Sequence, residues 1–485
     1  MPRYQPTPLK ALCVALCLAV LCGLSIGSTR AQSGSYEELL EKLKERGVLT
    51  AEEYQSLKKA REEEEEKKIK RLQFFGDIRL RYESRAASST FPIAAVEGAS
   101  EEQLDRFRYS ARVGIRGDLP AHWFYGLRLE TSANPRSAWV TFGNNNSNSG
   151  GGAAPYGKVG IFVGQAYLGW KATPWLTLQA GKMPNPVFTT PMVWDSDINP
   201  EGFAERFNVA LNERVSLFAN LGQYVYSQFT PNDDTGNLGF AGYEGYQFAW
   251  QAGVSTTFGE KKSAKVALGF CNYSGFGTPD FTGEPNNNPN ASGFSGPFAF
   301  GVPNTLPDTP AGLAFANGLN DLSYVEIPWE VDFPIGDISA AVLGDWSYNT
   351  KAEERAARGS YAFLGDQAMA YQVGMAVGNS LGLVLNQVAA KKNTWEARAY
   401  WQSIELNALD TNIIDSDFFE GRTNMQGIFL AAVYCPTDAV IIAMRFGDAY
   451  RVNGDGPTPG SNPDLSNVQP INRYKLLQLD FGWKF

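Results

Sequence analysis

A single histidine, His122, occurs among the 485 residues of this chain. Ser-His-Asp catalysis and histidine-rich metal sites both need this side chain beside other reactive groups, so its scarcity argues against them. Basic residues are also too few for a nucleic-acid partner, because 42 Lys and Arg stand against 51 Asp and Glu and the net charge is -9. We therefore expect no enzyme, no cofactor and no nucleic acid.

Long apolar runs are missing once the first residues are set aside. Residues 1–31 have a basic start, an apolar centre over residues 11–26 and a small-residue end, and so predict a secretory signal peptide. No later run of about 18 apolar residues could form a membrane-spanning helix. After the signal only Cys271 and Cys435 remain, too few for a disulfide framework. An exported chain of this kind is soluble in the periplasm, secreted, or an outer-membrane barrel.

Residues 32–73 predict a short helical segment. Ser35 with Glu38 and Thr50 with Glu53 match the capping box that starts a helix. The continuation is rich in Glu and Lys at i,i+4 spacing but has no sustained apolar heptad. The segment is either a stalk or coiled coil, or a solvated helix that tethers the rest of the chain. We favour the tether and expect it in the periplasm of a Gram-negative-type cell.

From residue 74 onward the apolar residues recur with a period of two, which indicates β-strands. In residues 106–116 (RFRYSARVGIR), apolar side chains alternate with a column of four arginines. This alternation is typical of a strand that faces lipid on one side and a water-filled lumen on the other. A soluble sandwich also alternates, but its polar face rarely carries such a column.

Sixteen segments of this kind follow one another, and their connections are alternately short and long. They lie at residues 75–83, 105–116, 123–131, 159–170, 175–183, 204–211, 215–224, 246–258, 264–273, 323–333, 337–348, 367–378, 395–405, 425–435, 439–448 and 472–485. Short turns on one side and long loops on the other are how outer-membrane barrels are built. The sequence predicts an all-β fold: a transmembrane antiparallel β-barrel of about 16 strands over residues 74–485. Residues 379–393 are too apolar for an ordinary turn, which leaves open a count that differs by two strands.

The last strand ends on Phe485 after strict alternation of apolar and other residues. Such an ending resembles the outer-membrane insertion signal of bacterial barrels, which implies recognition by the barrel-assembly machinery. Tryptophan and tyrosine also fall near strand ends, where aromatic girdles would meet the membrane interfaces and outer-membrane lipid.

Several segments resemble the bacterial "putative porin" family. They are residues 75–83 (FGDIRLRYE), 106–116, 165–168 (QAYL), 181–186 (GKMPNP), 193–202 (VWDSDINPEG), 416–418 (SDF) and 421–424 (GRTN). The resemblance implies a sixteen-stranded barrel like that of the general porins, usually a homotrimer, that passes small hydrophilic solutes. The long fifth loop and the apolar stretch near residues 381–390 depart from the family pattern.

Residues 183–206 contain four prolines, which forbid regular structure, and yet are too apolar for a solvated loop. Strand counting makes this stretch the third long loop, which we expect to fold into the barrel and narrow it. Three of its carboxylates would face the pore: Asp195, Asp197 and Glu201.

Two walls of opposite charge are expected around that loop. Inward positions of the first three strands carry seven arginines: Arg79, Arg81, Arg106, Arg108, Arg112, Arg116 and Arg128. Inward positions of the tenth strand, eight strands away, carry Glu326, Glu330 and Asp332. Together they would set a field across the pore that favours polar solutes. Alternatively, the arginines pair with neighbouring acids and only fill a polar interior.

Asp195, Asp197 and Asn199 have the spacing of the first ligands of an EF-hand, but Pro200 and Arg206 stand where its glycine and glutamate belong. Calcium in a looser site at the external loops stays open; no other metal is expected.

We expect a passive outer-membrane porin. The alternatives are a substrate- or anion-selective channel, and a barrel that anchors a structural protein attached to the cell wall through its helices.

Overall fold

The computed structural model describes residues 40–41, 43–46, 49–59, 72–89, 101–132, 137–143, 158–229, 243–275, 322–358, 362–460, 464–465, 468 and 470–485. The chain divides into two compact units, Met1–Leu72 and Gln73–Phe485. The expected signal peptide, the cap at Ser35 and the Glu/Lys-rich residues 60–71 lie outside the described residues.

In the first unit, a helix covers residues 51–59 and begins with the predicted capping box. The Thr50 backbone N–H donates to Glu53 Oε2 at 2.9 Å, and the Glu53 N–H donates to Thr50 Oγ1 at 3.2 Å. Each side chain thus satisfies a backbone donor that the first helical turn leaves unpaired.

The second unit is built from strands. In chain order they are β1 (Gln73–Ser88), β2 (Glu101–Asp118), β3 (Trp123–Ser132), β4 (Val140–Thr141), β5 (Gly160–Thr173), β6 (Leu176–Lys182), β7 (Glu201–Ala210), β8 (Val215–Phe229), β9 (Tyr243–Gly259), β10 (Lys262–Gly275), β11 (Ser323–Glu326), β12 (Trp329–Ile335), β13 (Ile338–Asn349), β14 (Met369–Gly378), β15 (Thr394–Ile404), β16 (Met425–Cys435), β17 (Val440–Arg451) and β18 (Arg473–Lys484). A helix, α1 (Ala352–Arg358), lies between β13 and β14.

These strands close into an antiparallel barrel of sixteen strands, as predicted. Each strand pairs with the next along the chain, and β18 pairs with β1 to close the ring. The two extra strands are interruptions: β4 continues beside β2 where β3 has ended, and β11 with β12 forms one strand broken at Pro328. Because proline has no N–H to donate to the ladder, an interruption of the strand is expected at this residue.

Inside and outside alternate along each strand as the period of two requires. In β2, Arg106, Arg108 and Arg112 face the lumen, whereas Phe107 and Val113 are exposed on the outer wall. Among the described residues no helix is long and apolar enough to cross a membrane.

The two ends of the barrel differ in their connections. At one end, here called the short-turn end, six connections of two to four residues join neighbouring strands, and residues 379–393 form a seventh. The opposite, long-loop end carries the longer connections. The barrel closes at the short-turn end, where Gly76 and Phe485 exchange backbone hydrogen bonds of 3.0 and 3.1 Å. A Cβ on Gly76 would lie 2.6 Å from the Phe485 ring, so this seam needs glycine.

Candidate functional site

The third loop, residues 183–200, leaves the wall between β6 and β7 and crosses the lumen. Met183 and Met192 are fully buried, and the Trp194 ring packs on Tyr224 of β8 at 6.3 Å. The Phe188 N–H donates to Gln251 Oε1 of β9 at 2.9 Å, and Gln251 Nε2 donates back to the Phe188 carbonyl at 2.6 Å. Apolar anchors and paired backbone groups together explain how so apolar a loop is held inside a polar barrel.

Two consecutive threonines attach the loop to the far wall. Thr189 Oγ1 donates to Glu326 Oε1 of β11 at 2.5 Å, and Thr190 Oγ1 donates to Asp345 Oδ2 of β13 at 2.7 Å. Both carboxylates are almost completely buried. A buried carboxyl group that loses its hydrogen-bond partner is costly, so these two threonines are a strong attachment of the loop.

The other side of the loop reaches the arginine-bearing strands. Asp197 Oδ1 accepts from Arg112 Nη1 at 3.0 Å, and Arg112 Nε also contacts Asp77 Oδ2 at 3.0 Å. Gln165 of β5 donates to Asn199 Oδ1 at 2.9 Å. The loop therefore bridges walls of opposite charge.

All seven predicted arginines point into the lumen, and six have a carboxylate within 2.5–3.6 Å. These nearest carboxylates are Asp77 for Arg79 and Arg112, Glu83 for Arg106 and Arg108, Asp480 for Arg81 and Glu130 for Arg128. Arg116 instead donates to Gln73 Oε1 at 2.9 Å. Local pairing, the alternative raised from the sequence, thus describes most of the wall and reduces its net field.

Trp139 adds an aromatic surface to this wall. The Arg79 and Arg81 guanidinium carbons lie 4.7 and 4.1 Å from its ring centroid, and its carbonyl accepts from Arg108 Nη2 at 3.4 Å. Cation–π contacts hold both guanidinium planes in place.

Residues 405–424, between β15 and β16, form another loop that enters the lumen, here called the 405–424 loop, and it contacts the third loop. The Asp195 N–H donates to the Ile413 carbonyl at 2.6 Å, and the Asp415 N–H donates to the Pro191 carbonyl at 3.0 Å. The 405–424 loop also binds the wall, because Arg81 Nη1 lies 2.8 Å from Asp417 Oδ1. This loop was not predicted to enter the lumen, because its contact with the third loop joins segments more than 200 residues apart.

One signal for that contact was present in the sequence. Asp195-Ser196-Asp197 and Asp415-Ser416-Asp417 repeat one tripeptide, and both form the same turn. In each turn, the carboxylate of the first aspartate accepts a hydrogen bond from the backbone N–H of the second aspartate, at 2.8 Å in the third loop and at 2.7 Å in the 405–424 loop. This local bond is the usual way an aspartate stabilises a turn.

The four aspartates of these two turns differ in charge state. Burial, together with nearby Asp415 and Asp197, holds the pKa of Asp195 well above its usual range, and burial beside Asp417 raises the pKa of Asp415 to about 7. The pKa of Asp197 is lowered, since Arg112 and Arg79 outweigh burial, and the same holds for Asp417 beside Arg81 and Arg445. Each turn therefore combines one carboxylate that tends to be protonated with one that stays ionised.

Residues 379–393, the stretch too apolar for an ordinary turn, fold into the lumen from the short-turn end. Leu383 and Val384 are buried in the same apolar cluster as Met192 and Trp194 of the third loop. The Val384 N–H donates to Glu396 Oε2 of β15 at 2.9 Å. The strand count is unaffected, because the apolar residues face the interior of the barrel rather than another strand.

Glu201 does not belong to the pore-facing group and corrects the expectation. It is the first residue of β7, opposite Lys182 in the ladder, and Lys182 Nζ lies 2.6 Å from its Oε1. Its side chain is 63% exposed. Loop and strand boundaries are poorly defined by sequence, and here an error of a few residues moved a carboxylate from the loop to the wall.

Glu330 and Asp332 lie on β12, as expected for the acidic wall. Asp332 Oδ2 accepts from Ser263 Oγ of β10 at 2.5 Å. Close by, Lys265 Nζ lies 4.0 Å from the centroid of the Phe188 ring, so the acidic wall is not uniformly acidic.

The calcium-like spacing is used for other contacts. Asn199 Nδ2 donates to the Asp197 carbonyl at 3.1 Å, while the Asp197 carboxylate binds Arg112. In the part of the chain that the structure describes, no three His, Cys, Asp or Glu side chains are grouped to hold a metal ion. Cys271 and Cys435 are both buried and free.

The chain is similar in structure to several solved outer-membrane proteins. Similar solved structures include OprB of Pseudomonas putida at high pH (9% identity, 87% of this chain and 96% of that chain, TM-score 0.46) and the outer membrane channel DcaP of Acinetobacter baumannii (12%, 85% and 97%, 0.39). The trimer form of OmpT, an outer membrane protein of Vibrio cholerae, is similar at 12% identity over 85% of this chain and 99% of that chain, with a TM-score of 0.40. No curated protein matches.

A family model described as putative porin matches residues 37–278, about half of the chain. This match includes the arginine-bearing strands and the whole third loop. Together with the closed sixteen-stranded barrel, it assigns the fold and the loop to one family: the chain belongs to the putative porins.

Proposed function

We propose that this protein forms a water-filled channel in the outer membrane and lets small hydrophilic solutes diffuse through it passively. No catalytic step and no cofactor take part. The third loop narrows the channel, and the arginines of β1 to β3 on one side and the carboxylates of β11 and β12 on the other make its walls polar.

The observation that carries the proposal is the path of the third loop across the lumen. Its contacts reach from Arg112 on β2 to Glu326 on β11, two positions eight strands apart in a ring of sixteen. A loop fixed at both walls divides the cross-section of the barrel. Solutes must then pass beside it, where low-dielectric walls strengthen the field between opposite charges.

The 405–424 loop and residues 379–393 narrow the channel further, from opposite ends of the barrel. Both pack on the third loop, and the 405–424 loop also brings Asp417 to Arg81 of the arginine wall. We therefore expect a narrower, more selective channel than the third loop alone would give, with polar and zwitterionic solutes favoured over apolar ones.

We further propose the surroundings of the barrel. The helical segment would lie in the periplasm, the long-loop end would face outward, and the chain would assemble as a homotrimer. The exposed side chains of Leu479, Phe481, Trp483 and Phe485 would form the signal read by the barrel-assembly machinery.

Planar bilayer recordings of the purified protein test this proposal. Ohmic single-channel steps of porin size support it. A saturable, anion-selective current would instead favour a substrate-selective channel, and a correctly folded barrel without current would favour a structural anchor.

A further inference from the structure

Glu205, a carboxylate of the barrel wall, faces away from the lumen. Glu205 lies on β7 two residues after Phe203, whose side chain is 64% exposed, and next to Ala204, which is buried. Since side chains alternate along a strand, Glu205 shares the outer face with Phe203. Its Oε2 accepts from Nε2 of Gln223, on the outer face of neighbouring β8, at 2.9 Å.

The height of Glu205 on the wall follows from the strand register. Residues directly opposite each other form one row around the barrel: Trp123, Trp170, Leu178, Glu205, Leu221, Trp250, Phe270, Val325 and Tyr348. Trp123 stacks on Trp170 at the short-turn end, and Tyr348 stacks on Trp346 at the long-loop end. The row therefore runs from one aromatic girdle to the other.

Glu205 falls well inside the band that these girdles enclose. Strands about 4.8 Å apart that tilt by about 40° rise by ~3 Å at each step of such a row. The row then spans ~24 Å from girdle to girdle, close to the ~25 Å of a typical apolar band. Glu205 lies three steps from the first girdle, at ~9 Å, and every other member of the row is apolar or aromatic.

A carboxylate and an amide at that depth are costly against lipid chains, because lipid offers them no hydrogen bonds. We infer that the outer face of β6, β7 and β8 around Phe203, Glu205 and Gln223 docks a second copy of this chain rather than lipid. The inference rests on the proposed homotrimer and names the surface through which it assembles.

The composition of this face suits an identical partner. It carries a donor and an acceptor in Gln223 and Glu205, and charges of both signs near its long-loop edge in Lys182 and Glu201. Ala180 opposite Phe203 and Ala219 opposite Phe207 are small, so the backbones of two barrels could approach closely around these rings. By contrast, Ile428, Leu430, Ala432 and Tyr434 form the outer face of β16, eight strands away. From Ile428 to Tyr434 that face carries no charged group, as lipid requires, and its one amide, Gln426, lies at the long-loop end of the strand.

Site-specific photo-cross-linking tests the surface in native membranes. A benzophenone analogue of phenylalanine replaces Phe203, and the matched control places the same analogue at Leu430, which is 40% exposed on the opposite wall. We expect covalent dimers of the chain from position 203 and only lipid adducts from position 430. Lipid adducts alone at position 203, or an adduct with a different protein, would overturn the inference.

A second measurement separates the surface from the channel. Glu205→Leu should stabilise a wall that faces lipid, but should lower the temperature at which the oligomer dissociates if the wall faces another copy. We expect dissociation at a lower temperature on unheated and heated gels, with the monomeric barrel still folded and still conducting. An unchanged or higher dissociation temperature of the variant would contradict the docking surface. A folded wild-type protein that conducts no current would instead contradict the proposed function.

Discussion

The attachment of the third loop to the acidic wall can be weakened with almost no change of shape. Thr189→Val with Thr190→Val removes two hydroxyl donors, while a valine occupies nearly the same volume as a threonine. Glu326 and Asp345 then lose the bonds that the two threonines made at 2.5 and 2.7 Å. Removing one partner of a buried polar pair costs about 1–3 kcal/mol, so the pair of changes should cost the docked loop about 2–6 kcal/mol.

That cost corresponds to a factor of roughly 30 to 10⁴ in the ratio of docked to undocked loop. Single-channel recordings should then show frequent excursions to a larger conductance, because the loop leaves the far wall more often. The matched control is Thr256→Val on β9, where the threonine lies in the ladder opposite Val215 and Ala264. Recordings of the double variant that match both wild type and control would refute the assignment of these threonines as the attachment.

Three further predictions concern charge, pH and the opposite end of the barrel. Replacing Arg106, Arg108 and Arg112 together by serine should shift the reversal potential toward cation selectivity. An unchanged reversal potential would show that the arginine wall does not act on passing ions. The pKa of Asp415 is raised to about 7, so its protonated form supports the junction of the two loops at low pH and this support is lost as pH rises through about 7. Conductance fluctuations should therefore increase between pH 5 and pH 9, and Asp415→Asn should weaken that dependence, since Asp195 at the same junction keeps a raised pKa; a variant as pH-sensitive as wild type would contradict this. Replacing residues 379–393 by a four-residue turn should raise conductance, whereas the same conductance would show that this stretch does not narrow the channel.

The barrel could be predicted from the sequence because its determinants are local. Alternation with a period of two, short polar turns and a closing strand that ends on Phe485 are each readable within about ten residues. Even the doubtful region kept its strand count, since residues 369–378 and 394–404 alternate correctly on either side of it.

The contents of the lumen were predictable only in part. The third loop was recognisable by its prolines and apolar residues, and the arginines by their phase within β1 to β3. Their carboxylate partners were not, because Asp417 and Asp480 meet Arg81 from segments more than 300 residues away. The apolar Leu383 and Val384 indicated burial but not against what, since long-range packing decides that.

Deleting residues 186–200 and recording single channels tests the central claim most directly. If the third loop narrows the channel, the variant should insert as a folded barrel and conduct more than the wild type at the same salt concentration. A folded variant with unchanged or smaller conductance would contradict the claim that this loop forms the constriction.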